Sequence, residues 1–100
     1  MTKSKQQIID DITAHIQKRG GAFGDWYVGI SSHARDRLFS AHKVHEKGDR
    51  WIHRRAPSRE AAREIENYFV SNLAADGHTV GGDDSASTVY AYRKAPHTMP

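Results

Sequence analysis

The chain has 100 residues, a formal net charge of +3 at pH 7 and no cysteine. This length fits one domain, residues 1–100, built around a small core. The lack of cysteine excludes disulfides, thiol nucleophiles and cysteine-rich zinc sites. No apolar run approaches the roughly 20 residues that cross a bilayer, so we expect a cytoplasmic protein without a membrane partner.

The positive charge is concentrated in the middle of the chain. Residues 33–63 contain nine Lys or Arg and four Asp or Glu, together with four of the seven histidines. A basic segment of this kind favours a polyanionic partner such as nucleic acid. A solvated surface explains the charge equally well, and charge alone leaves both interpretations open.

The first third of the chain predicts a helix followed by a strand. Ser4 and Gln7 have the spacing of a capping box, and isoleucines then recur at helical spacing over residues 5–19, before a Gly-Gly pair. Residues 26–30 follow as a short strand. Because side chains alternate along a strand, the core face is expected to carry Trp26, Val28 and Ile30, and the other face Tyr27 and Gly29.

The middle of the chain predicts a second helix and a further extended segment. Ser31 or Ser32 can cap a helix that runs to about residue 42, with one side formed by Ala34, Leu38 and Ala41. Over residues 43–55 the pattern fits either a strand or a hairpin, with a turn at Gly48-Asp49.

A third helix is expected after Pro57-Ser58, with Glu66 at the edge of its apolar stripe and Gly77 beyond its end. Its inward side chains are expected to be Ala61, Ala62, Ile65, Phe69 and Leu73. The segment from Gly77 to Ser87 has turn chemistry, and its Asp83 and Asp84 are expected to be solvated.

A last strand is expected over residues 88–92, and the tail after Lys94 is expected to fray. The element order predicts an α+β fold, in which helices flank a small antiparallel sheet.

Three features together resemble the second half of the GIY-YIG nuclease domain. Trp26-Tyr27-Val28-Gly29-Ile30-Ser31 resembles the YIG strand, Arg37 follows the tyrosine by ten residues, and Ala62-x-x-x-Glu66 lies on the third helix. The resemblance covers residues 26 to about 73. It implies an endonuclease that hydrolyses phosphodiester bonds with one divalent cation, Mg²⁺ or Mn²⁺. In that role Tyr27 would orient or deprotonate the attacking water, Arg37 would pair with the phosphate and Glu66 would hold the metal.

The sequence departs from the family pattern at three points. The amino-terminal GIY strand is missing, His42 follows Arg37 by five residues instead of four, and no family-like asparagine follows the glutamate helix. We hypothesise that Val89-Tyr90-Ala91-Tyr92 pairs with residues 26–30 and replaces the missing strand, as in a permuted sheet. Tyr90 or Tyr92 would then supply the second active-site tyrosine. His42 is either a member of that site or a hydrogen-bonded, half-buried histidine.

The basic residues expected to contact phosphates are Lys43, Arg50, Arg54, Arg55 and Arg59. We expect DNA rather than RNA as the partner, and a targeting protein that selects the substrate. One alternative is an inactive nucleic-acid-binding module of the same fold. Another is a protein-interaction domain whose isoleucine-rich first helix docks on a partner. The spacing of His33, His42, His45 and His53 matches no compact zinc-ligand pattern.

Overall fold

The computed structural model describes residues 4–19, 22–77 and 87–99. Within these ranges three helices and three strands are formed, which confirms the α+β class. Helix α1 spans Lys5–Arg19, strand β1 spans Trp26–Ser31, and a 3₁₀ turn at Phe23–Asp25 precedes that strand. The remaining elements are α2 (Ala34–Asp36, extended by a π-helical turn at Arg37–Ala41), β2 (Trp51–Arg55), α3 (Arg59–Asn67, extended by a π-helical turn at Tyr68–Asn72) and β3 (Thr88–Arg93).

The three strands form one antiparallel sheet in the order β1-β3-β2, so the last strand of the chain lies in the middle. The predicted pairing of the first and last strands is confirmed, with Val28 opposite Ala91 and Ile30 opposite Val89. Strand β2 also pairs with β3, with Ile52 opposite Ala91. The hairpin alternative is therefore wrong, because the chain around Gly48 forms a turn that leads into β2 without a partner strand before it.

Helices α1 and α3 cover one face of the sheet and form the larger core. Ile8, Ile12 and Ile16 of α1 are fully buried there against apolar side chains of the sheet and of α3. The predicted alternation of β1 is confirmed, because Trp26, Val28 and Ile30 belong to this core and Tyr27 belongs to a second cluster on the opposite face.

The isoleucine face of α1 is thus occupied by the chain's own core and is not free to dock on a partner. Within the described part of the chain, the one exposed large apolar side chain is Met99. None of the described helices has the length and apolar character needed to span a membrane.

Two helix starts follow the predicted capping chemistry. The Gln7 N–H donates to Ser4 Oγ, and the Ser4 N–H donates to Gln7 Oε1, which completes a capping box at α1. Ser58 Oγ accepts the Ala61 N–H at the start of α3. The predicted stop at Gly20-Gly21 and the acidic turn at Asp83-Asp84 lie outside the described residues.

Helix α2 differs from the prediction because its second half is a π-helical turn. The His42 N–H donates to the Arg37 carbonyl at 2.8 Å, five residues back, where an α-helix would bond four residues back. The wider turn rotates the following residues, so Ala41 is exposed and His42 is buried in its place. The prediction that Ala41 shares the buried side with Ala34 and Leu38 is therefore wrong.

The expected fraying after Lys94 is also wrong. Residues 95–99 form a turn in which the Thr98 N–H donates to the Ala95 carbonyl, and Thr98 is buried. The Met99 N–H then donates to the His42 carbonyl at 2.8 Å. This bond fixes the carboxy-terminal segment on the end of α2.

The outer edge of β1 is covered by the chain that follows α3. The Val28 N–H donates to the Asp76 carbonyl at 2.9 Å, and the Asp76 N–H donates to the Trp26 carbonyl at 2.8 Å. A Cβ atom at Gly77 would lie 2.4 Å from the Val28 carbonyl oxygen, so only glycine allows this approach.

We expect Gly77→Ala to destabilise the protein by about 1–3 kcal/mol, because the added methyl group collides with backbone at the sheet edge. Gly24→Ala is the matched control, since its Cβ would meet the Ala74 carbonyl oxygen at 3.7 Å, an ordinary van der Waals distance. Urea unfolding of the two variants measures the difference. Equal stability of both variants would contradict the described edge.

Candidate functional site

The sheet face opposite α1 and α3 carries a cluster of aromatic side chains. Directly opposed residues on neighbouring strands point to the same side, so Tyr27, Tyr92 and Trp51 form one row across the sheet. Gly29, Tyr90 and His53 form the next row. All three predicted tyrosines therefore lie on one face, next to α2.

Tyr90 lies at the centre of this cluster because Gly29 leaves room for its ring. A Cβ atom at Gly29 would lie 2.6 Å from the Tyr90 hydroxyl oxygen, so the ring lies directly over the glycine backbone. The Tyr90 hydroxyl is 2.8 Å from His42 Nε2, and the nearby Arg37 guanidinium acts to lower the pKa of this phenol against the larger effect of burial. One phenol thus bonds an imidazole and lies near a guanidinium.

The protonation of His42 follows from its second contact. Nδ1 lies 2.8 Å from the Met99 carbonyl oxygen, and because a carbonyl only accepts, Nδ1 carries the proton. In the neutral ring Nε2 is then the acceptor, and it accepts the Tyr90 O–H. The Tyr92 hydroxyl lies 3.2 Å from Nδ1 and shares that N–H more weakly. Of the two carboxy-terminal tyrosines, Tyr90 bonds the basic nitrogen of His42, and it is also the one whose pKa the Arg37 charge acts to lower.

Tyr27 packs beside these groups as a neutral phenol. Its ring centre lies 4.7 Å from that of His42 and 5.3 Å from that of Tyr92. Burial, with the neighbouring Tyr90 and Glu66, raises the pKa of Tyr27 to about 12, although the Arg37 charge acts in the opposite direction. Burial likewise raises the pKa of Tyr90 and of Tyr92. None of the three tyrosines is ionised at neutral pH by its surroundings.

Glu66 brings a carboxylate to the boundary between the two faces. It is 4% exposed on α3, two residues before the π-helical segment of that helix begins. Burial raises its pKa to about 7, against the smaller opposing effect of Arg63. Its charge in turn raises the pKa of Tyr27 and of Tyr90, so the carboxylate acts on the same site as the phenols.

The predicted set Tyr27, Arg37, His42, Glu66 and Tyr90 is therefore brought together, although its members come from β1, α2, α3 and β3. Tyr92 adjoins the set through His42 and Tyr27. One carboxylate missed by the sequence analysis also faces it, because the charge of Asp76 raises the pKa of Tyr27 and Tyr92. Asp76 Oδ2 pairs with Lys94 Nζ at 3.2 Å. The two residues lie on separate segments across the sheet edge, so no sequence motif predicts this position for Asp76.

The predicted phosphate-binding residues do not form one group. Arg54 points to the opposite face, where its Nε lies 3.1 Å from Asp11 Oδ2, and Arg59 begins α3 beside Glu60. Lys43 and Arg50 are exposed in the loop between α2 and β2. Arg55 is the member that lines a cleft on the tyrosine face.

That cleft has a volume of about 410 Å³ and lies between the start of α2 and β2. The basic side chains that line it are His33, Arg35, His53 and Arg55. Because His53 is the cross-strand neighbour of Tyr90, the cleft adjoins the tyrosine site. Arg35 is held in the cleft wall by Glu46 at 2.6 Å and by the Phe39 ring at 5.0 Å.

We expect Glu66→Gln to raise the unfolding free energy at pH 8 in metal-free buffer. The unfolded chain loses this proton near pH 4.5, whereas the folded protein keeps it until about pH 7. Between these values the folded state binds more protons, so stability falls as pH rises, by at most roughly 3 kcal/mol. Glutamine does not ionise, so the variant does not lose this stability as pH rises. The difference in unfolding free energy between the parent and Glu66→Gln should vanish below pH 4.5.

Glu64→Gln is the control for this measurement, because Glu64 is exposed on the same helix and pairs with Lys5 at the surface. Chemical unfolding at pH 4 and pH 8 gives the comparison. A Glu66→Gln protein that is equally or less stable than the parent at pH 8 would show that the carboxylate is not desolvated.

Comparison of the chain with protein-family models, with curated proteins and with solved structures gives no match. The chemistry of the site is therefore inferred from its own residues.

Proposed function

We propose that this protein is a metal-dependent nuclease that hydrolyses phosphodiester bonds of nucleic acid, with a site similar to that of GIY-YIG enzymes. The observation that carries the proposal is the bond between the Tyr90 hydroxyl and His42 Nε2 at 2.8 Å, beside the Tyr27 ring and close enough to Arg37 and Glu66 for both charges to act on the Tyr90 pKa. A phenol, an imidazole, a guanidinium and a carboxylate are the groups that water activation and phosphate stabilisation require.

Tyr90 and His42 provide a route for the proton of the attacking water. The water proton passes to the Tyr90 oxygen while the Tyr90 proton passes to His42 Nε2, so the phenol is regenerated and the imidazole becomes charged. The Met99 carbonyl, which accepts the Nδ1 proton, stabilises that imidazolium. Because no free phenolate accumulates, the raised pKa of Tyr90 does not prevent the transfer.

Arg37 and Tyr27 act on the phosphate. Arg37 is exposed and carries its charge next to the Tyr90 hydroxyl, where the attacked phosphate would lie. Its guanidinium can pair with the phosphate oxygens as their charge grows in the transition state. Tyr27, as a neutral phenol, donates a hydrogen bond and orients the water or the phosphate instead of removing a proton.

Glu66 is the residue that would hold the divalent cation, Mg²⁺ or Mn²⁺. Its fit is supported by burial, which raises its pKa because the carboxylate charge is largely uncompensated there, as a bound cation would compensate it. Mg²⁺ is commonly held by one or two carboxylates, water and substrate phosphate, so a single glutamate is sufficient. When bound, the cation supplies Lewis-acid polarisation of the phosphate and stabilises the leaving oxygen.

The spacing of Arg37 and His42 supports the proposal. Five residues separate the two, but the π-helical bond between them makes this spacing a single helical turn. His42 is therefore presented next to Arg37 in the way that a residue four positions later would be in an α-helix. The five-residue spacing is therefore compatible with the proposed site.

DNA is the proposed substrate, in the cytoplasm, with a protein partner that selects the site of cleavage. The cleft lined by His33, Arg35, His53 and Arg55 adjoins the tyrosines and is the proposed path of the phosphate backbone. A binding module without cleavage is the second candidate. It is favoured by the raised pKa values of all three tyrosines, which make proton transfer depend entirely on His42.

We expect the protein to cut plasmid, single-stranded or branched DNA with Mg²⁺ or Mn²⁺, and Glu66→Ala to lose at least about a hundredfold in rate. Structured RNA is assayed in parallel to separate the two nucleic acids. Glu64→Ala, on the exposed side of the same helix, should retain full activity. Cutting that persists in Glu66→Ala would disprove the assigned metal ligand, and salt-sensitive binding without cutting would establish the second candidate.

Tyr90 and Tyr92 should differ in their effect on cleavage, although both hydroxyls touch His42. Tyr90→Phe should lower kcat by about 10²–10⁴-fold because it removes the proton route, whereas Tyr92→Phe should lower it less than tenfold. Tyr68→Phe, on α3, is the control outside the cluster. Single-turnover rates measure the effect. Equal losses for the two variants would contradict the assigned role of Tyr90.

A further inference from the structure

Three side chains outside the tyrosine site form a compact group of the metal-binding type. His45 and Asp49 lie in the loop between α2 and β2, and His97 lies in the carboxy-terminal turn. One potential ligand atom from each residue lies within 4.8 Å of the other two. We propose that His45, Asp49 and His97 form a binding site for a divalent transition-metal ion such as Zn²⁺.

The three side chains are in direct contact with one another. The rings of His45 and His97 are stacked, with centres 4.2 Å apart and planes 16° from parallel. Asp49 Oδ2 contacts His97 Nε2 at 2.5 Å and accepts the His45 backbone N–H at 2.7 Å. Because the lone pair of an imidazole nitrogen lies in the ring plane, one of the two exposed rings must turn out of this stack before both can ligate the same ion. The Asp49 carboxylate already lies beside His97 Nε2.

Two imidazoles and one carboxylate suit Zn²⁺ and similar ions better than Mg²⁺, which prefers oxygen ligands. At Zn–N and Zn–O distances of about 2.1 Å, a tetrahedral centre separates its ligand atoms by roughly 3.4 Å. The contact between Asp49 and His97 must therefore open by roughly 0.9 Å, which movement of the exposed His97 ring can provide. Three protein ligands leave the fourth position to water.

The charges around the group limit the affinity. Arg50 and Lys94 line a depression that also includes Asp49, and both carry positive charge. Asp49 is ionised, because its hydrogen bonds from His45 and His97 lower its pKa despite the opposing effect of burial. Binding therefore depends on direct ligation by the three side chains and not on the general charge of the surface.

An ion at this position would connect two distant segments next to His42. His97 lies two residues before Met99, whose backbone N–H and carbonyl both bond His42. Asp49 and His97 are 48 residues apart in the chain, so a shared ion closes a long loop. The ion would hold the turn at residues 95–99 in place, and the Met99 carbonyl against Nδ1.

Metal binding is tested directly on protein that carries no polyhistidine tag and has been treated with chelator. We expect one Zn²⁺ per chain by calorimetry, one Co²⁺ with the visible absorption of a four-coordinate ion, and a Tm raised by on the order of 10 °C at saturating Zn²⁺. His97→Ala and Asp49→Asn should lose these responses. His33→Ala and Asp10→Asn, whose side chains lie outside the group, are the matched controls and should keep them.

Hydrogen exchange provides the second measurement. Zn²⁺ should slow exchange of the Thr98 and Met99 amides in the parent protein and leave them unchanged in His97→Ala. Equal binding by parent, His97→Ala and Asp49→Asn would overturn the proposal, as would no binding by the parent. Binding that is lost in Glu66→Ala would place the ion at the tyrosine site and would also overturn it. None of these measurements depends on cleavage. The proposed metal site and the proposed nuclease activity can therefore be disproved independently of each other.

Discussion

The antiparallel pairing of β1 with β3 is the constraint on which the rest of the structure depends. A strand from the end of the chain becomes the middle of the sheet, where both of its edges are bonded and its backbone groups are satisfied. Its register sends Val89 and Ala91 into the core under α1 and α3, and Tyr90 and Tyr92 to the other face. A slip by one residue would exchange the two sets, so burial of the apolar set also fixes the tyrosines.

The buried polar network around His42 depends in turn on that register. The ring uses both nitrogens, one toward the Met99 carbonyl and one toward the Tyr90 hydroxyl. Such a network stabilises a fold only when each buried group has a partner, which the turn at residues 95–99 provides for Nδ1. Burial of His42 requires the π-helical turn in α2. This turn widens the helix, brings His42 inward and leaves the apolar Ala41 exposed.

The two sheet faces differ in composition, one being apolar and the other rich in polar aromatic side chains, and Glu66 lies where they meet. The face under α1 and α3 is apolar and is closed by Ile8, Ile12 and Ile16, whereas the face under α2 combines phenols, imidazoles and guanidinium groups. Burial of the Glu66 carboxylate is unfavourable for folding, as its raised pKa indicates. A buried, destabilised carboxylate beside perturbed phenols is the arrangement expected of a functional site rather than of a structural ion pair.

The sequence by itself determined the elements and their faces, because capping residues and apolar periodicity act locally. Ser4 and Ser58 specify helix starts, alternation in β1 separates Trp26 from Tyr27, and the β-prone run at the end of the chain supplies the partner strand. Only the tertiary structure decided that Tyr90 rather than Tyr92 meets Arg37, that a π-helical turn buries His42, and that Met99 and Asp76 border the site. These contacts join residues that belong to separate elements, across the sheet edge and the final turn. Capping and periodicity patterns relate only residues that are close in the sequence, so they do not predict such contacts.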